Sequence, residues 1–134
     1  MGYILDTNAV SGLIRQNEKL MHKVSDAIDS GKKIFISVIT DYEIRRGLFA
    51  VNATRKLRIY EMLQSQYQIL WIDDLSVSEI AAEIHADLRR KGLPIQDADI
   101  LIAATALTRN LTLVTDDEHF QRIPNLSPEN WLRD

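Results

Sequence analysis

Cysteine is absent from all 134 residues, which excludes a disulfide scaffold, a thiolate nucleophile and a cysteine-ligated metal. Glycine (5) and proline (3) are scarce and scattered, so no stretch marks a linker. Residues 1–134 therefore read as one domain, long enough to bury a core without staples. No apolar run approaches the roughly 20 residues of a membrane span. The start of the chain also lacks a basic region followed by a long apolar one, so a cytoplasmic protein with no membrane partner is expected. "MGYILD" does not match the myristoylation pattern, because Asp6 stands where Ser or Thr is required. Neither a glycine-rich phosphate loop nor a dinucleotide fingerprint occurs. A formal net charge of −3 offers no general basic surface for nucleic acid.

What the chain does contain is an alternation of strands and helices. Tyr3, Ile4 and Leu5 make a short apolar strand that ends on Asp6, an acid that either caps the next helix or holds a cation at a strand end. A short helix candidate, "AVSGLIRQ", comes next. It is followed by a helix with Leu20, Met21, Val24, Ala27 and Ile28 on one face and Gly31 as its stop. "KKIFIS" is a second strand. "VITDYEIRRGLF" is a helix with a stripe of Ile39, Tyr42 and Phe49 that carries Glu43 in its early turns.

The helix "TRKLRIYEMLQSQ" spreads Leu57, Ile59, Tyr60, Met62 and Leu63 more widely than one core stripe requires, which leaves surface for a partner. "QILWI" is a third strand, and Ser76 to Glu79 form a capping box for the helix that Gly92 and Pro94 end. "DADILIAATALTRN" is a helix buried nearly all round, with Asn110 as its stop. "LTLVT" is the fourth strand, and the tail "SPENWL" docks Trp131 and Leu132. Long connections between strands imply a parallel sheet with helices on both faces, whose ligands bind at the strand C-terminal ends.

Four acids from distant parts of the chain, Asp6, Glu43, Asp99 and Asp117, fall at that end of the sheet. Taken singly, Asp73, Asp74, Asp97 and Asp116 are explained as caps, turns or solvated positions. Carboxylates held close together cannot all ionise at neutral pH unless a cation offsets their repulsion. With no Cys, and with His22, His85 and His119 outside any metal-binding spacing, the donor set is all oxygen, which suits Mg²⁺ or Mn²⁺. All three histidines read as surface or satisfied groups.

"LDTN", "SVITDYEIRRGL", "GLPIQDADILIAATAL" and "LTLVTDDEHFQRI", in this order, resemble the PIN-domain ribonucleases and, in length and spacing, the VapC toxins of toxin-antitoxin pairs. The resemblance implies an α/β, PIN-like fold with a short central parallel sheet flanked by helices on both faces. It carries the family's acids onto Asp6, Glu43, Asp99 and Asp117, as catalytic residues and ligands of Mg²⁺, for which Mn²⁺ substitutes. Asp97 either reaches the metal or caps the helix, and Asp116 is able to exchange roles with Asp117. Thr7, Asn8 and Thr115 match polar positions that support the acids.

The implied activity is an endoribonuclease in which a metal-activated water attacks an RNA phosphodiester, leaving a 5′-phosphate and a 3′-hydroxyl. The implied partners are the RNA substrate, a cognate antitoxin protein, and a second copy in a homodimer or a toxin-antitoxin hetero-oligomer. Arg45 and Arg46 are assigned to the RNA backbone, against the plainer reading of solvated basic residues. Two alternatives stand beside this: an RNA-processing PIN nuclease outside a toxin pair, and a non-catalytic Mg²⁺-binding interaction module.

Overall fold

Successive side chains along the strands point to opposite faces of the sheet, and that alternation sets the layers. A computed structural model describes residues 2–133. In β1 (Gly2–Leu5), Leu5 points into one hydrophobic cluster and Ile4 into the other. The same split recurs in β2 (Lys33–Ser37), where Ile34 and Ile36 face one side and Phe35 the other. It recurs again in β4 (Thr112–Val114), between Val114 and Leu113. A sheet buried on both faces needs helices on both, and the chain supplies them.

On one face lie α1 (Thr7–Ile14), α2 (Glu18–Asp29), α3 (Val38–Ala50) and α4 (Thr54–Gln66). On the other lie α5 (Leu75–Arg90) and α6 (Asp97–Arg109). With β3 (Gln68–Leu70) and β5 (Pro128–Glu129) the sheet has five strands in the order β3-β2-β1-β4-β5, and every pairing is parallel. The expected α/β architecture is therefore the observed one. No helix among the described residues is long and apolar enough to cross a membrane.

Several local expectations are met for the reasons given. Asn110 ends α6 in the left-handed region at φ 55°, and Gly31 and Gly92 stand just beyond α2 and α5 with φ of 79° and 70°. Alanines 103, 104 and 106 are fully buried, which allows α6 to lie close to its neighbours. Trp131 and Leu132 are buried, and the Trp131 ring meets Tyr3 edge-on with centroids 4.6 Å apart.

Other expectations are corrected. The stripe on α3 is not its core face: Tyr42 and Phe49 are exposed, and Thr40 and Ile44 are the buried residues. In α2 the core takes Leu20, Val24 and Ala27 but leaves Met21 and Ile28 about half exposed. The third strand stops at Leu70, with Trp71 and Ile72 exposed, because its one partner, β2, ends at Ser37 opposite Leu70. The helix after it is capped by Asp74, whose carboxylate accepts from the Ser76 N–H, so Ser76 is not the cap of a capping box. The fifth strand lies inside the tail "SPENWL", too short and too polar to announce itself by pattern.

Candidate active site

Parallel register brings the ends of the central strands to one level. Leu5 pairs with Ile36 on one side and Val114 on the other, so Asp6 and Thr115 leave the sheet side by side. Asp6 does two things at once. Its Oδ1 accepts from the Ala9 N–H at 2.8 Å, capping α1, and its side chain lines a cleft of about 460 Å³. Burial pushes its carboxyl from an ordinary 3.8 to about 7. Hydrogen bonds from Thr115 and Ala9 oppose the shift, while the charges of Asp116 and Asp99 add to it.

The cleft is walled by the other three expected acids. Glu43 lies in the second turn of α3, and its Oε1 accepts a 2.6 Å hydrogen bond from the Thr7 hydroxyl. Asp99 sits in the first turn of α6, and its pKa is raised chiefly by burial. His119 pulls that pKa down, and Glu43 and Asp117 push it up. Asp117 caps the short 3-10 helix Glu118–Arg122, accepting from the His119 N–H at 3.1 Å. The Asp117 N–H in turn donates to the buried Thr115 hydroxyl at 3.0 Å. Thr7 and Asn8 also line the cleft, with Pro94, Ile95 and Gln96 on its far wall.

The two open alternatives separate in space. Asp97 is exposed at the first position of α6 and is not part of the cleft wall, as expected of a residue that serves the helix end. Asp116 turns from the cleft toward Asn8, whose amide donates to its Oδ1 at 3.2 Å. Asp117 therefore faces the cleft, and Asp116 acts on it only through the field it adds at Asp6.

Over residues 3–126 the chain matches the PIN domain family, and it is 33% identical to the ribonuclease VapC2 of Rickettsia felis across 98% of both chains. The chain belongs to the PIN-domain family and is of the VapC type. It is 30% identical to the tRNA(fMet)-specific endonuclease VapC of Salmonella typhimurium, over 96% of this chain and 97% of that one. The solved VapBC2 of Rickettsia felis bound to a promoter DNA fragment superposes with a TM-score of 0.90 at 29% identity, covering 98% of this chain and 99% of that one.

One residue of this PIN cleft escaped the sequence reading. His119 lines it, with Nε2 3.1 Å from Asp99 Oδ2 and Nδ1 2.9 Å from Asp117 Oδ1. Asp99, Asp117 and His119 each offer one ligand atom within 4.8 Å of the others, so a ring nitrogen stands beside the expected oxygen donors. Sequence spacing does not announce the pair, because Asp99 in the first turn of α6 and His119 in the 3-10 helix after β4 lie 20 residues apart. The adjacency of Asp117 and His119 in "DDEHF" was the one available signal.

The two arginines divide. Arg45 is held by both Asp41 carboxylate oxygens at 3.0 and 3.1 Å, lies over the Tyr60 ring and reaches Glu61 at 3.8 Å. It braces α3 against α4. Arg46 is more exposed, 3.6 Å from Glu43 Oε2 and 5.2 Å from the Tyr42 ring centroid, at the rim of the cleft.

Proposed function

We propose that this chain is a divalent-metal-dependent endoribonuclease, the toxin of a type II pair, with Asp6, Glu43, Asp99 and Asp117 as its catalytic acids. The observation that carries the reading is their convergence, from four separate segments, on one cleft at the C-terminal end of a parallel sheet. The donors fit a divalent cation: Asp99 and Asp117 are close and partly buried, and burial, with a smaller contribution from neighbouring carboxylates, disfavours the ionised form of Asp6 that a cation would favour. Asp6, Asp99 and Asp117 would hold the ion.

A divalent ion held there would supply Lewis-acid polarisation of a phosphoryl oxygen and an acidified water, the chemistry of RNA hydrolysis to a 5′-phosphate and a 3′-hydroxyl. The chain's own groups supply position and charge. Thr7 fixes Glu43 Oε1, which leaves Oε2 as the oxygen able to take a proton. Thr115 orders the turn that carries Asp117, and Asn8 holds Asp116 out of the cleft. Arg46, at the rim, pairs with an RNA phosphate as the substrate enters. The Salmonella relative's name and the Rickettsia complex support RNA as substrate and a cognate antitoxin as partner. Cytoplasmic residence and a homodimer or toxin-antitoxin hetero-oligomer belong to the same reading.

The test is cleavage of end-labelled total RNA by antitoxin-free protein in Mg²⁺ and in Mn²⁺, beside an EDTA lane and an Asp99→Asn control. Discrete fragments seen only with metal and only with the unaltered chain are expected. Intact RNA in the presence of folded, metal-loaded protein would favour the non-catalytic interaction module instead.

A further inference from the structure

His119 brings both ring nitrogens close to carboxylate oxygens: Nε2 is hydrogen-bonded to Asp99 Oδ2 at 3.1 Å, and Nδ1 lies 2.9 Å from Asp117 Oδ1. The residue is also anchored. Its backbone N–H is tied to Asp117 Oδ1 at 3.1 Å, and its ring lies against Phe120, which is buried in the core, with centroids 5.4 Å apart. A ring held in this way presents a nitrogen to the cleft beside the same two carboxylates that flank it.

We propose that His119 is a nitrogen ligand of the metal held by Asp99 and Asp117, and that this mixed donor set makes the site prefer a first-row transition ion to Mg²⁺. The inference rests on the metal-dependent reading above. Mg²⁺ is a hard ion that prefers oxygen donors and keeps several waters. Imidazole nitrogen favours transition ions, so replacing one oxygen donor by His119 raises their affinity more than that of Mg²⁺. The acids alone would not discriminate in this direction.

The experiment uses the full chain without RNA or antitoxin and takes Mn²⁺ as the probe. Electron paramagnetic resonance counts free Mn²⁺, electron spin-echo modulation detects ¹⁴N bonded to the bound ion, and competition gives the Mg²⁺ affinity. Nitrogen modulation is expected in the unaltered chain and is lost in both His119→Asn and His119→Gln. In those variants Mn²⁺ affinity falls about 10-fold and Mg²⁺ affinity less than about 2-fold. Bound Mn²⁺ without nitrogen modulation in the unaltered chain would overturn the assignment, whether or not the variants fold. An equal loss of both ions would also overturn it, reducing His119 to a group that positions the carboxylates. Failure of the folded chain to bind either ion would overturn the metal-dependent reading as well. Metal-supported RNA cleavage with no nitrogen signal would remove the His119 ligand and leave the nuclease standing.

Discussion

The Thr7 hydroxyl donates to Glu43 Oε1 at 2.6 Å, joining the first residue of α1 to the second turn of α3 across 36 positions of sequence. That bond leaves Glu43 one orientation in the cleft. Thr7→Val keeps the side-chain shape and removes the donor. It is expected to lower the cleavage rate roughly 10- to 100-fold, in the range typical of groups that orient metal-site carboxylates. Thr7→Ser restores most of the rate. Equal rates for Thr7→Val and the unaltered chain would show that the bond orients nothing of consequence.

Asp6 gives the protein a pH dependence of definite sign. Its folded pKa of about 7 lies above the ordinary 3.8 because burial disfavours the charged form. Between those values the folded metal-free chain keeps a proton that the unfolded chain releases. Stability therefore falls as pH rises through this window, by at most about 1.4 kcal/mol per unit, and levels off above pH 7. Asp6→Asn keeps the cap and abolishes the penalty, so it is expected to stabilise the metal-free protein at pH 8 by about 2–4 kcal/mol. Thermal melts in EDTA at pH 5 and pH 8 check this, and a variant that melts lower at pH 8 would contradict it.

Metal loading has the same linkage. An ion at the cleft favours ionised Asp6, so binding releases a proton below about pH 7 and apparent affinity rises with pH until Asp6 is ionised. Calorimetric titrations in buffers of different ionisation enthalpy measure the proton count. An affinity independent of pH from 5.5 to 7.5 would place Asp6 outside the metal site.

Asp99→Asn is expected to abolish cleavage while leaving the fold intact, since it removes one charge from a repelling cluster whose members already raise the Asp99 pKa. Circular dichroism and the RNA assay, run on one preparation, check both halves. A folded variant that cuts at the normal rate would remove Asp99 from the mechanism.

Arg45 and Arg46 should separate cleanly. Arg46→Ala is expected to weaken RNA binding and lower the slope of log affinity against log salt by about 0.7, as for one lost phosphate contact on a single strand, with an unchanged melting temperature. Arg45→Ala strips the charge partner from Asp41, which also accepts from the Tyr60 hydroxyl, and is expected to cost about 1–3 kcal/mol of stability with the salt slope unchanged. The reverse pattern would exchange their roles.

The amino-acid sequence carries the order of the first four strands and the six helices, the parallel sheet and the four acids of the cleft, but not β5. Runs of β-forming residues, helical spacing, a helix stop at Asn110 and an acid at a strand end are all readable within a few residues. The packing of α3 against α1, α4 and α6 decided which of its faces is buried, leaving Tyr42 and Phe49 exposed while Thr40 and Ile44 are covered. Tertiary structure alone chose Asp117 over Asp116 for the cleft, through the hydrogen bonds of Thr115 and Asn8. It also brought His119 against Asp99, a contact that spans 20 residues and leaves no periodic trace in the chain. Arg45 and Arg46 are neighbours of the same charge, and only the position of Tyr60 and Asp41 between α3 and α4 turns one inward and leaves the other at the rim.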